Sequence, residues 1–85
     1  MNLSFIIPTL NEERTLLLNL IFFKKIRKYL NAELIVVDGG SHDSTVNIAK
    51  TLSCNVYISE PSRSKQFNLG AKHARGKYLV FLHAD

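Results

Sequence analysis

Short, uninterrupted apolar runs alternate along this chain with longer stretches in which apolar residues recur at helical spacing. The runs lie at Leu3 to Pro8, Leu34 to Asp38, Cys54 to Ser59 and Tyr78 to His83. Such short, continuous runs are expected of strands covered on both faces. Between the first two, Leu16, Leu20, Phe23 and Leu30 form a stripe that Leu17, Ile21 and Ile26 widen, which predicts a helix from Glu12 to Leu30. Asn11 is placed to cap it, and Glu12 and Glu13 suit the positive end of its dipole. A second helix is predicted to begin at Ser41, whose hydroxyl can accept from a backbone N–H, and to run through Val46, Ile48, Ala49 and Leu52. A third is predicted over Ser64 to Arg75, burying Phe67, Ala71 and Ala74 and stopped by Gly76.

The order is then β-α-β-α-β-α-β. Strands alternating with helices imply right-handed crossovers and a three-layer, Rossmann-like α/β fold, a parallel sheet with helices on both faces. In such sheets ligands bind beyond the carboxyl ends of the strands. Three of the apolar runs end there in polar clusters, PTLNEE, DGGSHDST and HAD.

Composition narrows the picture only modestly. With 85 residues, 46% of them hydrophobic and 21% charged, the chain fits one small domain, residues 1–85, near the size where a buried core is marginal. The single cysteine, Cys54, has no partner for a disulfide or a CxxC metal pair, which suits a reducing compartment and hence the cytoplasm. A net charge of +4 favours anionic partners without choosing among phosphates, lipid head groups and nucleic acid. The start lacks the basic region of a signal peptide, and the apolar block from Leu16 to Phe23 falls far short of the roughly 20 residues that span a bilayer.

The polar clusters carry the candidate chemistry. Asp38 ends a strand before two glycines, so its carboxylate could accept from a base or ribose while the turn lets a ligand approach the main chain. It could equally be part of a tight strand-to-helix turn. Thr9, Asn11 and Glu12 offer hydroxyl, amide and carboxylate groups at the same sheet edge, where capping alone would also explain Asn11 and Glu13. Arg63 stands just before the third helix, whose N-terminus favours anions, whereas Lys65, Lys72, Arg75 and Lys77 read as a solvated basic face. Gln66 and Asn68 are ambiguous among capping, ligand contact and solvent. His83 sits two residues before Asp85, within reach of whatever Asp85 binds. A hard divalent cation completes its shell with water and substrate phosphates, so a single acid could hold it.

IIPTLNEE, IVVDGGSHDST, RSKQFNLGAKHARG and VFLHAD, in that order, resemble the amino-terminal half of an inverting family 2 glycosyltransferase of the GT-A fold. The likeness is strongest to the bacterial subset with DGGS and LHAD, described as selenodomain-associated transferases. The resemblance implies a nucleotide-diphosphate-sugar donor, with Pro8, Thr9 and Glu12 lining the nucleoside pocket, Asp38 bonding the base and Arg63 near the nucleotide or its phosphates. HAD takes the place of the family's DxD motif, which makes Asp85 the expected ligand of Mg²⁺ or Mn²⁺. His83 replaces the first aspartate and joins the expected nucleotide-sugar contacts. The family's general base and acceptor pocket follow this motif, so the chain is expected to be a truncated donor-binding half, inactive alone. A lipid or glycan acceptor is in keeping with the resemblance, and a nucleic acid partner is not expected. Two other readings stay open: a non-catalytic nucleotide-binding module, and a fragment that binds a partner or the cytoplasmic face of a membrane through the apolar helix and KKIRK.

Overall fold

The computed structural model of the chain describes residues 2–51 and 54–83, with the main chain alone at Leu20. Its elements run β1 (Leu3–Thr9), α1 (Glu13–Leu30), β2 (Ala32–Asp38), α2 (Thr45–Thr51), β3 (Asn55–Ile58), α3 (Arg63–His73) and β4 (Tyr78–Phe81). The four strands pair in parallel in the order β3-β2-β1-β4. This is the expected α/β Rossmann-like alternation.

Side chains alternate across the central strands, and each face collects its own core. Phe5, Ile7, Leu34 and Val36 pack with Leu16 and Phe23 of α1 and Ala49 of α2. Ile6, Ile35 and Val37 face the other way, toward Phe67, Leu69 and Ala71 of α3. Each fully buried isoleucine or valine contributes about 1.5–3 kcal/mol, which is why apolar residues occupy both parities of β1 and β2. The chain steps from β1 to β2 to β3 with α1 and α2 on one face, and α3 then carries it back across the other face to β4. All three crossovers therefore share one hand, the right-handed one favoured for such connections. The direction of travel reverses between β1 and β4, and a crevice opens at the carboxyl ends of strands where it does so.

Polar contacts at the opposite end of the sheet lock the return of the chain. Glu33, buried at the start of β2, accepts from the Ser4 hydroxyl and from the Arg75 N–H at 2.6 Å. Gly76 N–H donates to Ser4 Oγ at 2.8 Å. A Cβ on Gly76 would stand 2.5 Å from the Leu3 carbonyl carbon and 2.6 Å from the Ser4 nitrogen. Only a glycine lets β4 enter this close to β1.

Several boundaries differ from expectation, each for a local reason. Gly76 is not the helix stop: α3 ends at His73, and Ala74 N–H closes the last turn on Ala71 O at 3.2 Å. The second helix begins at Thr45 rather than Ser41, because Ser41 is taken up by Asp38. Asn11 does not cap α1; the flanking residue is Glu12, and Asn11 adopts a left-handed conformation at φ 51°. Asn31 adopts the same conformation at φ 50° and ends that helix by donating its N–H to Arg27 O. The apolar stripe of α1 is narrower than predicted. Leu16 and Phe23 are buried, but Leu17, Ile21 and Leu30 face outward. Double-sided burial holds for β1 and β2 but not for β3 and β4, which form the edges of the sheet among the described residues. Cys54 is buried beneath α1; burial pushes its thiol pKa up, partly countered by the charges of Arg27 and Lys24. Leu52, part of the predicted second helix, lies outside the described residues, as does the side chain of Leu20.

Candidate nucleotide site

The carboxyl ends of β1 and β2 run into two loops that complete each other. Asp38, at the end of β2, is fully buried. One carboxylate oxygen accepts from Thr9 Oγ1 at 2.8 Å and Ser41 Oγ at 2.6 Å, and the other from the N–H groups of Gly40 and Ser41 at 2.9 and 2.7 Å. Gly40 turns at φ 97°, open to glycine at little cost, so the chain can wrap around that carboxylate.

The N–H groups at the start of α1, which have no acceptor within their own helix, bond to the second loop. Glu12 N–H donates to Thr45 Oγ1 at 3.0 Å and Glu13 N–H to Asp43 Oδ2 at 3.3 Å. The first loop answers in kind. His42 N–H donates to Asn11 Oδ1 at 2.8 Å, Ser44 N–H to Glu13 Oε2 at 3.1 Å, and Asn11 N–H to Ser41 Oγ at 2.8 Å. Asp43 further accepts from the hydroxyl and the N–H of Thr45. The Thr45 hydroxyl is the main cause holding the Asp43 carboxyl below the ordinary aspartate range, with burial opposing it and the backbone N–H of Thr45 and Glu13 assisting.

Beside this paired-loop floor lies a cleft of about 340 Å³, lined by Pro8, Thr9, Leu10, Glu12, Pro61, Arg63 and Gln66. It sits at the reversal point of the sheet, between the end of β1 and the start of α3. Its far wall is the first turn of α3, where Ser62 accepts from Lys65 N–H at 3.4 Å and Arg63 is exposed. Gln66, one turn on, is buried. Its amide nitrogen donates to Thr9 O at 3.0 Å and Val37 O at 2.8 Å, tying α3 to both central strands. Glu12 is half-buried and its Oε1 accepts from Leu10 N–H at 3.1 Å. The cleft thus joins apolar walls, exposed main chain, one acid and one cation. Its volume is within the range of small-ligand sites.

Four of the expected nucleotide-sugar residues, Pro8, Thr9, Glu12 and Arg63, line this one cleft. Thr9 does so with its hydroxyl turned away, onto Asp38. Asp38 faces inward and builds the turn; as placed, its carboxylate has no exposed surface for a base. His83 is exposed just past β4, its ring 6.4 Å from that of Phe67, and is not among the cleft residues. Asp85 lies outside the described residues. Lys65 pairs with Glu60, in keeping with its reading as surface charge. Leu10 and Pro61 carry no site signal in the sequence, which also leaves capping, ligand contact and solvent open for Gln66. Its spacing of three from Arg63, which puts both on one helical face, is the signal that could have found it.

Comparison with known proteins gives this cleft a context. Residues 4–85 match Glycosyl transferase family 2. Glucosyl-3-phosphoglycerate synthase of Petrotoga mobilis is 42% identical over 60 residues, 67% of this chain and 18% of that protein. A dolichyl N-acetyl-alpha-D-glucosaminyl phosphate 3-beta-D-2,3-diacetamido-2,3-dideoxy-beta-D-glucuronosyltransferase of Methanococcus voltae is 33% identical over 91 residues, 96% of this chain and 28% of its own length. This chain therefore spans less than a third of either relative. Among solved structures, S. aureus TarS superposes with a TM-score of 0.82 at 29% identity, covering 100% of this chain and 17% of that one. Glucosyl-3-phosphoglycerate synthase of Mycobacterium tuberculosis, in complex with Mn²⁺, uridine diphosphate and phosphoglyceric acid, superposes with a TM-score of 0.76 at 26% identity, covering 99% and 33%. The architecture is the Rossmann-like sheet of GT-A fold glycosyltransferases, and the chain belongs to glycosyl transferase family 2.

Proposed function

We propose that the cleft binds the nucleoside diphosphate of a sugar donor, and that the whole protein transfers the sugar, with inversion, to an acceptor hydroxyl. The observation that carries this reading is the convergence of Pro8, Thr9, Glu12 and Arg63 on one cleft at the reversal point of the sheet, in a chain of this family. Pro8, Leu10 and Pro61 offer apolar surface to a base, and Glu12 accepts from a base N–H or a ribose hydroxyl. Arg63 stands at the N-terminus of α3, where its guanidinium and the helix dipole both favour phosphate oxygens. Asp38 is assigned an indirect part. With four donors already on its carboxylate, it shapes the turn beside the cleft, and a base could bond it only by displacing one of them.

Among the described residues no three carboxylate, imidazole or thiol groups gather as a metal set. A hard cation held by one acid and the donor's phosphates needs no such set. Bound Mg²⁺ or Mn²⁺ would stabilise the charge that develops on the departing diphosphate. Asp85 is the proposed protein ligand, and His83 is proposed to contact the sugar nucleotide beside it. DGGS at Asp38 to Ser41 and LHAD at Leu82 to Asp85 support placement in the selenodomain-associated subset.

Because neighbouring structures contain uridine diphosphate with or without Mn²⁺, that nucleotide is the first ligand to test. Calorimetric titration with Mn²⁺ present should show binding that Arg63→Ala and Glu12→Ala each weaken about tenfold, the scale of one charge-assisted hydrogen bond. Asp85→Ala should remove the dependence on Mn²⁺. No binding of any nucleoside diphosphate to the folded chain, or binding indifferent to Arg63 and Glu12, would overturn the assignment.

A further inference from the structure

The outward face of α1 is built unlike the rest of the surface. Leu17, Leu18, Ile21 and Phe22 are 52%, 78%, 58% and 57% exposed, side by side over the middle turns of the helix. They are followed along the same face by Lys24, Lys25 and Lys28, with Tyr29 at 88% exposure beside them. Read by helical spacing, two adjacent stripes run Leu17, Ile21, Lys24, Lys28 and Leu18, Phe22, Lys25, Tyr29, each apolar first and cationic afterwards. A groove of about 240 Å³ opens where the two halves meet, lined by Ile21, Lys24, Lys25, Arg27 and Lys28. No acidic residue follows Glu13 in the helix. The face lies across the sheet from α3 and takes no part in the nucleotide cleft.

We infer that this face docks the protein on an anionic lipid bilayer. Apolar side chains grouped on one helical face, joined to a cluster of lysines with an aromatic ring among them, match the interface of a membrane: acyl chains for Leu18 and Phe22, head-group phosphates for the lysines, and the boundary for Tyr29. Charge complementarity selects this occupant. A second copy of the chain brought face to face in parallel would set lysine against lysine, whereas an anionic surface meets every one of these charges with its opposite. No described helix is long and apolar enough to cross a membrane, so the contact is one of surface. The inference stands apart from the nucleotide reading and is tested without nucleotide.

Co-sedimentation of the chain with vesicles tests it, comparing phosphatidylcholine alone with equal parts phosphatidylcholine and phosphatidylglycerol. Binding is expected to the mixed vesicles only and to weaken as salt is raised. Lys24→Glu, Lys25→Glu and Lys28→Glu together should lower affinity by at least about a hundredfold, and Leu18→Ser with Phe22→Ser by about tenfold or more. Circular dichroism checks that each variant is folded, and its substitutions lie on exposed positions. Three results would overturn the inference: no binding to the anionic vesicles, equal binding to phosphatidylcholine, or affinity unchanged in both folded variants. A dimer that Phe22→Ser dissociates would also overturn it, by assigning the face to a second copy.

Discussion

Gln66 shows how one side chain can tie a helix to two strands at once. Its amide nitrogen bonds Thr9 O and Val37 O at the ends of adjacent strands, and Thr9 O also accepts from Gly39 N–H at 2.9 Å. Gln66→Leu keeps the volume and removes both of these donors. A loss of about 1–3 kcal/mol is expected, the scale of two hydrogen bonds at about 0.5–1.5 kcal/mol each, read from the urea midpoint. The same change frees the first turn of α3 to shift relative to β1, so nucleotide affinity should fall with it. An unchanged affinity in the folded variant would make Gln66 a purely structural tie.

At the level of elements, the two loops replace the capping that each helix could have supplied for itself. Asn11, Glu13, Asp43 and Thr45 each satisfy N–H groups on the other loop, so α1 and α2 are ordered together. Thr45→Val deletes a buried residue's hydroxyl that accepts from Glu12 N–H and donates to Asp43, both part-buried contacts. A destabilisation of about 1–3 kcal/mol is expected by thermal or urea unfolding. Asp43 adds a pH dependence whose direction follows from its lowered pKa. The folded state favours the carboxylate, so its stabilisation is present above the ordinary aspartate value of about 3.9 and is lost as pH falls from there through the lowered folded-state value. Asp43→Asn should therefore be less stable than the parent at neutral pH, with the gap between their unfolding midpoints closing in acid. A gap that stayed constant with pH would detach Asp43 from this role.

On the scale of the whole molecule, the covered centre and uncovered margins of the sheet behave differently. β1 and β2 are buried along almost their full length, whereas β4 shows Tyr78, Leu79 and Phe81 at 61%, 40% and 48% exposure and is paired on one side only among the described residues. An apolar strand edge is a template for association with another chain. Tyr78→Lys should reduce concentration-dependent light scattering while changing stability by no more than about 0.5 kcal/mol, as for most surface substitutions. Scattering that persists in the variant would move the source elsewhere. The α1 face is the other large apolar exposure, and it differs from β4 in carrying its own cluster of lysines.

What the residues determined alone was the alternation of strands and helices, and with it the edge of the sheet where the candidate cleft lies, because periodicity is a local property that each segment carries without its neighbours. Thr9, Glu12 and Arg63 stand out for that reason as polar groups at a strand end or a helix start, whereas Pro8 enters the candidate site only through the family resemblance. Partnerships were not legible, since a polar side chain near a turn offers the same groups to its own loop, to another loop or to a ligand. Asp38 turned inward because Thr9 on the adjacent strand and the Gly40–Ser41 turn all present donors to it. Gln66 met two carbonyls, one of them 57 residues away in the chain. Leu17 and Ile21 joined the surface because a helix lying on a sheet buries only the stripe that faces it. Those choices belong to the tertiary structure, where strand order decides which distant groups come within hydrogen-bonding distance and which apolar ones remain uncovered.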